Sequence, residues 1–174
     1  TESSVVTVNS LPTAMITPGG TTTFCEGGSV TLSASGGTGF FWSTSSTTQA
    51  ITVTSGGIYT VTVTNANGCT DTESSVITVN PLPTAMITPG GPTTFCEGGS
   101  VTLSASGGTG YLWSTAATTQ AITVNSGGTY TVTVTLTGCT ATSSRTVTVN
   151  ALPTANISGT TTICNGSSTT LTAS

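Results

Sequence analysis

Short runs of alternating apolar and polar residues recur along this chain. Residues 30–34 read Val-Thr-Leu-Ser-Ala, and residues 59–64 read Tyr-Thr-Val-Thr-Val-Thr. A period of two predicts strands that bury one face and expose the other. Gly-rich segments such as 36–39 and 55–57 separate the runs and predict turns. We therefore predict an all-β fold with six or seven short strands in about 70 residues.

A long internal repeat organises these strands. The phrase Leu-Pro-Thr-Ala-Met-Ile-Thr begins at Leu11 and again at Leu82. Residues 11–64 and 82–135 are identical at 47 of 54 positions. Self-similarity over such a length predicts a tandem array in which each repeat is one structural unit.

Partial copies lie on both sides of the two whole repeats. A third copy of the opening phrase begins at Leu152, and residues 1–9 match the close of a repeat at 72–80. We therefore expect this chain to be an excerpt from a longer array. The predicted segments are 1–10 (end of a preceding repeat), 11–81 and 82–151 (whole repeats) and 152–174 (start of a following repeat).

The joint between repeats is short and rich in proline. The sequence Asn80-Pro81-Leu82-Pro83 leaves no flexible spacer, and proline favours extended backbone. We expect the repeats to stack as a semi-rigid rod. An alternative stays open, in which the last strand of one repeat completes the sandwich of the next repeat.

The inward positions of the strands predict a core and a fold. The predicted core residues are Leu32, Trp42, Tyr59 and Val61 in the first repeat and Leu103, Trp113, Tyr130 and Val132 in the second. Their spacing resembles that of the immunoglobulin-like (Ig-like) sandwich, although Leu32 and Val61 stand where its inter-sheet cysteines would lie. The predicted fold class is all-β, with tandem Ig-like antiparallel β-sandwich repeats.

Each whole repeat carries two cysteines, placed before its second strand and after its long tyrosine strand. Because antiparallel packing can bring those ends together, we predict the disulfides Cys25–Cys69 and Cys96–Cys139, with the partner of Cys164 beyond the chain end. Each would close a loop of about 45 residues and contribute about 4 kcal/mol. The alternatives are buried free thiols or a metal site, and a metal is disfavoured without histidine. Disulfides imply an oxidising, extracellular compartment.

The composition narrows the possible functions. The chain has 46 Thr and 23 Ser, no Lys, no His and a net charge of −4. Without His there is no ordinary general base at neutral pH, and without Lys there is no basic surface for nucleic acid. No apolar run approaches the ~18 residues that cross a bilayer. We predict no enzyme activity, no cofactor, no nucleic-acid partner and no membrane span.

The few carboxylates form no convincing site. Asp71 and Glu73 alternate onto one strand face, but Ala141 and Ser143 replace them in the second repeat. Glu26 is a single acid in a Cys-Glu-Gly-Gly turn, whereas calcium generally needs several oxygen ligands. We expect solvated carboxylates and no metal site.

Two sets of outward positions are candidate contact surfaces. One is a ladder of threonines on each tyrosine strand: Thr60, Thr62 and Thr64, then Thr131, Thr133 and Thr135. Period-two threonines can bind ice or carbohydrate, and they are also ordinary strand surface. The other set is Phe41 and Leu112, which alternate away from the tryptophans and either face outward or are covered by a bulge or loop.

Several phrases carry a family resemblance over the whole chain. They are 81–85 (Pro-Leu-Pro-Thr-Ala), 94–103 (Thr-Phe-Cys-Glu-Gly-Gly-Ser-Val-Thr-Leu), Trp113-Ser114 and 128–135 (Gly-Thr-Tyr-Thr-Val-Thr-Val-Thr). The chain resembles the Ig-like or PKD-like repeats of giant Bacteroidota surface proteins. The resemblance implies export by the type IX secretion system and a role in a cell-surface adhesin, including gliding adhesins, or filament.

We therefore expect the shaft of an extracellular, cell-surface adhesin or filament, whose partners are neighbouring repeats or identical shafts. The alternative is a carbohydrate- or ice-binding module that uses the threonine faces, with a surface glycan as partner. Outward positions change between repeats, as at Ser45 and Ala116 or Thr54 and Asn125, which mildly favours the shaft.

Overall fold

A computed structural model describes residues 3–173, and strands are the regular elements found in that range. The first repeat holds β1 (Met15–Pro18), β2 (Thr23–Cys25), β3 (Val30–Ser35), β4 (Gly39–Trp42), β5 (Ala50–Val53), β6 (Gly57–Thr64) and β7 (Thr70–Asn80). The second repeat holds β8 (Met86–Pro89), β9 (Thr94–Cys96), β10 (Val101–Ser106), β11 (Gly110–Trp113), β12 (Ala121–Val124), β13 (Gly128–Leu136) and β14 (Cys139–Asn150). A short pair follows, β15 (Ile157–Ser158) and β16 (Thr172–Ala173). The predicted all-β class is confirmed.

The strands of the first repeat form two sheets. One sheet has the order β1-β3-β5, and the other has the order β2-β7-β6-β4. Neighbouring strands are antiparallel except that β2 runs parallel to β7. The second repeat repeats both orders, as β12-β10-β8 and β11-β13-β14-β9. Two sheets that divide the strands in this way are the arrangement of an Ig-like sandwich.

The core of the first repeat joins side chains from both sheets. Leu32 on β3, Trp42 on β4 and Val61 on β6 are fully buried and belong to one cluster. Trp42 lies opposite Val61 in the β4–β6 register, and its indole N–H donates to the carbonyl oxygen of Thr48 at 2.8 Å. A buried tryptophan that keeps a hydrogen-bond partner adds apolar burial without leaving a polar atom unsatisfied.

Both repeats close the tyrosine strand with the same hydrogen bond. The hydroxyl of Tyr59 donates to the carbonyl oxygen of Ser55 at 2.9 Å, and that of Tyr130 donates to Ser126 at 2.9 Å. Each bond links the start of a long strand to the turn four residues earlier, which is the tyrosine corner of Ig-like domains. Leu103, Trp113 and Val132 are buried in the second repeat.

One turn requires glycine for two reasons. Gly36, which follows β3, has φ of +104°, a conformation that L side chains rarely adopt. A Cβ at this position would collide with the carbonyl oxygen of Thr13. The chain segment before β1 can therefore approach the end of β3 only because residue 36 has no side chain.

The last strand of the first repeat completes its own sandwich. Residues 70–77 of β7 pair with residues 57–64 of β6, and Thr78, Val79 and Asn80 pair with β2. Because β7 pairs within its own repeat, it does not complete the sandwich of the next repeat. Residues 3–10 form no strand.

The described chain divides into two compact units. The first holds residues up to Thr84 together with Gly107–Gly110 and Val134–Ala141. The second holds Ala85–Ser106, Tyr111–Thr133 and residues from Thr142 onward. The β13–β14 turn of the second repeat therefore belongs to the first unit. The repeat boundaries at 11–81 and 82–151 stay a prediction from the sequence.

Candidate functional site

The first unit contains a disulfide that ties the two repeats together. Cys25 and Cys139 are bonded, with Cα atoms 5.6 Å apart and a sequence separation of 114 residues. Cys69, Cys96 and Cys164 are free thiols. The structure thus contradicts the predicted bonds Cys25–Cys69 and Cys96–Cys139.

Strand direction explains this correction. Because β2 is parallel to β7, Cys25 lies opposite Asn80, the last residue of β7. Cys69 lies just before the first residue of β7, at the opposite end of an 11-residue strand. At about 3.3 Å per residue, that strand separates the two cysteines by about 35 Å. Disulfide formation needs Cα atoms within about 7 Å, so the two cysteines cannot bond in the folded repeat.

Asn80 organises the point where the repeats are tied. Its carbonyl oxygen accepts the backbone N–H of Glu26 at 2.9 Å and lies 3.8 Å from the Sγ of Cys139. Its side-chain amide donates to the carbonyl oxygen of Thr137 at 3.0 Å. We call the group Cys25, Asn80, Thr137 and Cys139 the cysteine junction. The end of β7 thereby fixes both partners of the disulfide.

The turn that supplies Cys139 is tight. Thr137 has φ of +48° and Gly138 has φ of +82°, so two consecutive residues are left-handed. A β-branched residue in this region costs about 1–3 kcal/mol and persists only where its surroundings hold it. Here the Asn80 amide holds the Thr137 carbonyl, and Cys139 is 1% exposed. The junction therefore fixes the turn as well as the sulfur.

The corresponding turn of the first repeat faces the segment before that repeat. The Sγ of Cys69 lies 4.0 Å from the carbonyl oxygen of Asn9, and the Asn65 amide donates to the carbonyl oxygen of Ser10 at 2.9 Å. Asn9 is the counterpart of Asn80 in the repeat. The Asn65 carboxamide oxygen also accepts the backbone N–H groups of Asn67 and Cys69, both at 3.0 Å. Cys69 thus lies beside the carbonyl oxygen of Asn9 as Cys139 lies beside that of Asn80, but it is half-buried and has no partner cysteine.

Cys96 has the environment of Cys25. It ends β9, which is parallel to β14, and it lies opposite Asn150. The backbone N–H of Glu97 donates to the carbonyl oxygen of Asn150 at 2.9 Å, as Glu26 does to Asn80. Cys96 is an exposed free thiol.

The threonine faces are partly covered and partly paired. The six threonines of the two ladders are each half-buried: Thr60, Thr62, Thr64, Thr131, Thr133 and Thr135. The hydroxyl of Thr60 lies 2.8 Å from that of Ser74, and the hydroxyl of Thr131 lies 2.8 Å from that of Ser144. Hydroxyls that bond across strands stabilise the sheet, and they are less available to a ligand.

Phe41 and Leu112 face outward. Phe41 is 55% exposed and Leu112 is 53% exposed, on β4 and β11 respectively. Phe41 lies opposite Thr62 in the β4–β6 register, on the same sheet face as the first threonine ladder. Of the two sequence alternatives, the structure has the outward one.

The acidic residues are dispersed. A carboxylate oxygen of Asp71 accepts the backbone N–H of Ala14 at 2.9 Å, whereas Glu73 is exposed. Within residues 3–173, no group of three or more His, Cys, Asp or Glu side chains could hold a metal ion. A shallow cavity of about 340 Å³ near the end of β7 is lined by Glu26, Thr54, Ser55, Gly56, Val79 and Pro81. Glu26 is the one carboxylate among these lining residues.

The chain is similar in fold to several solved tandem structures. The titin I-band fragment I67–I69 matches with a TM-score of 0.46 and 13% identity, over 96% of this chain and 77% of that one. Murine CEACAM1b matches with a TM-score of 0.43 and 13% identity, over 80% of this chain and 100% of that one. The three N-terminal domains of the bacteriophage RB49 outer capsid protein Hoc match with a TM-score of 0.42 and 18% identity, over 94% of this chain and 69% of that one.

No protein-family model matches this chain, and no curated protein matches it either. Across the described residues, no helix is long and apolar enough to span a membrane.

Proposed function

We propose that this chain is a structural segment of an extracellular adhesin or cell-surface filament, where its Ig-like repeats form the shaft. One observation carries the proposal: the Cys25–Cys139 disulfide joins consecutive repeats rather than the two halves of one repeat. A bond inside a repeat would stabilise that repeat alone. A bond between repeats adds a second covalent connection beside the peptide link.

This connection changes how a pulling force passes along the chain. Without the disulfide, force would run through every residue and could extend each sandwich as it unfolds. With it, force can cross from Cys25 to Cys139, and the 114-residue separation is removed from the extensible chain. The tie therefore limits extension, which suits a shaft that holds a distal tip at a fixed distance.

The compartment follows from the same bond. Disulfides persist in secreted and surface proteins and are rare in reducing compartments. The phrases at 81–85 and 94–103 support the finer part of the proposal, a Bacteroidota surface adhesin exported by type IX secretion. Such a shaft is not an enzyme, and its partners are neighbouring repeats or identical shafts.

A glycan- or ice-binding role is the weaker alternative. It would need threonine hydroxyls that are free to meet a ligand on a flat face. Thr60 and Thr131 instead pair with Ser74 and Ser144. We therefore favour the structural role.

Electron microscopy of native surface material, labelled with antibodies raised against this chain, tests the proposal. We expect long, uniform filaments with an axial repeat of one domain. Protease should fragment them only after a reductant has been added, because reduction opens the tie between repeats. Short isolated particles, equally sensitive to protease with and without reductant, would contradict the shaft.

A further inference from the structure

We propose that the cysteine junction recurs between every pair of consecutive repeats in an array of this sequence. The rule is that the β2-type cysteine of one repeat bonds the turn cysteine of the next repeat. Cys96 then bonds the turn cysteine of a repeat that follows, and Cys69 bonds the β2-type cysteine of a repeat that precedes. The inference rests on the proposed tandem shaft and extends it to Cys69 and Cys96, two of the three free thiols.

The surroundings of Cys69 already match one half of a junction. Its Sγ lies 4.0 Å from the carbonyl oxygen of Asn9, and the Sγ of Cys139 lies 3.8 Å from that of Asn80. In the bonded case, the cysteine opposite Asn80 is Cys25, held there by parallel pairing. A preceding repeat that ends at Asn9 would place its own β2-type cysteine opposite Asn9. That position is beside the Cys69 thiol.

The surroundings of Cys96 match the other half. Cys96 lies opposite Asn150 as Cys25 lies opposite Asn80. Cys25 meets its partner because the turn of the following repeat reaches the end of β7. The same turn in a repeat after Asn150 would meet Cys96.

Pairing within a repeat is excluded by the same geometry. Cys139 begins β14, a strand of 12 residues, and Cys96 lies at the other end of that strand. At about 3.3 Å per residue, the strand places the two cysteines about 40 Å apart. Cys69 and Cys25 are separated in the same way by β7. Cys69 and Cys96 can therefore find a partner cysteine only in another repeat.

The formation of each disulfide is an oxidation that needs an electron acceptor. Two thiols lose two protons and two electrons as the S–S bond forms. A disulfide-bearing oxidant, such as an oxidised thiol–disulfide oxidoreductase, takes up both electrons and both protons and becomes a dithiol. This chemistry proceeds in an oxidising compartment, where the proposed shaft is placed.

The recurring junction would give the array a continuous covalent path that omits most of each repeat. In the second repeat, force would enter at Leu82, reach Cys96 and cross directly to the following repeat. Force that arrives through Cys139 would leave along β14. The segment between Cys96 and Cys139 lies off both routes, so its unfolding would add no length.

The test extends the full chain by one repeat. A copy of residues 82–151 is inserted after Ala151, and the copy alone carries Cys96→Ser and Thr140→Ser. The second change makes the turn peptide of the copy lighter than that of the second repeat. The protein is oxidised in a thiol–disulfide buffer, and the monomeric fraction is digested with pepsin without reduction and mapped by mass spectrometry.

We expect Cys96 to be linked to the lighter turn peptide of the copy and Cys25 to the ordinary peptide of Cys139. The Cys25–Cys139 link in the same molecule shows that the insertion leaves the fold intact. A free Cys96 thiol beside an intact Cys25–Cys139 bond would overturn the recurring junction and leave the shaft standing. If the Cys25–Cys139 link were itself missing from the unmodified 174-residue chain, the proposed shaft would lose its support instead.

A second variant tests the Cys69 side. A copy of residues 11–81 that carries Cys69→Ser is inserted after Ser10 of the full chain. We expect Cys69 of the original repeat to bond the β2-type cysteine of the copy. Retention of a reactive Cys69 thiol, in a protein whose Cys25–Cys139 bond has formed, would contradict the rule from this side.

Discussion

Two turns at the same place in consecutive repeats end in cysteines, of which one is free and the other is bonded. Cys69 closes the turn at 65–69 and is a half-buried free thiol, whereas Cys139 closes the turn at 136–139 and is buried in a disulfide. Each sulfur lies close to a carbonyl oxygen at the end of the preceding segment. The difference is that a preceding β2-type cysteine is present for Cys139.

The two turns also hold their shape differently. The first is organised by its own side chain, because Asn65 accepts two backbone N–H groups within the turn. The second has Leu136 in that place, is one residue shorter and depends on the Asn80 amide and the disulfide. The first turn is thus held by a side chain within it, and the second by groups outside it.

The largest expected effect is mechanical. In single-molecule pulling from both ends of the oxidised chain, the Cys25–Cys139 bond should shorten the fully extended length by about 400 Å relative to the reduced chain. The estimate follows from the separation of 114 residues. Cys139→Ser should restore the full length without reductant. Cys69→Ser, which changes the equivalent free thiol, should leave the short length unchanged, and equal lengths for both variants would refute the comparison.

The next effect is on stability. Removal of the disulfide by Cys25→Ser should lower the free energy of unfolding by about 5 kcal/mol, because a loop of this length is closed in the unfolded chain. Denaturant unfolding without reductant measures the change. Cys69→Ser is the matched control and should cost less than about 0.5 kcal/mol. If Cys69→Ser lowered the free energy of unfolding as much as Cys25→Ser does, the loss would come from the serine replacement and not from the disulfide.

A smaller effect separates the internal support of the two turns. Asn65→Leu gives the first turn the residue of the second and removes three hydrogen bonds, so it should destabilise the first repeat by about 1–2 kcal/mol. Asn67→Ala is the control, because Asn67 contributes its backbone N–H to the turn. Thermal unfolding by circular dichroism measures both variants. Equal losses for the two would show that the Asn65 carboxamide does not organise the turn.

The smallest effect concerns a hydrogen bond between β7 and the segment before β1, which differs between the repeats. Asp71 accepts the Ala14 backbone N–H, and Ala141 stands at its place in the second repeat. Asp71→Ala should therefore cost about 1 kcal/mol. Glu73→Ala, which changes an exposed residue, should alter the free energy of unfolding by less than about 0.5 kcal/mol. Denaturant midpoints that move equally for the two variants would remove the role assigned to Asp71.

Local pattern was enough to predict the strands and their buried faces. Val30, Leu32 and Ala34 alternate with polar residues, and all three are buried on β3. Side chains alternate between the faces of any strand, so the burial of one face follows from which positions are apolar. The spacing of Tyr59 and Val61 likewise resembled that of an Ig-like sandwich, and Tyr59 makes the hydrogen bond of a tyrosine corner.

Cysteine pairing could not be predicted in this way. Alternation specifies which face a residue occupies, but it does not specify whether a neighbouring strand runs parallel or antiparallel. The assumption of antiparallel ends placed Cys25 beside Cys69, whereas β2 pairs with β7 in the parallel sense. If the direction of β2 is reversed, the expected position of Cys25 moves from one end of β7 to the other.

The sequence by itself therefore determined the all-β class, the repeat and the alternation that buries Leu32, Trp42 and Val61. These features depend on residues close in the chain, whose geometry is set by strand periodicity. Only the tertiary structure decided that Cys25 meets Cys139. That contact depends on the direction of β2 beside β7 and on Asn80, which positions both partners across 114 residues. No local sequence pattern encodes a contact between residues so far apart in the chain.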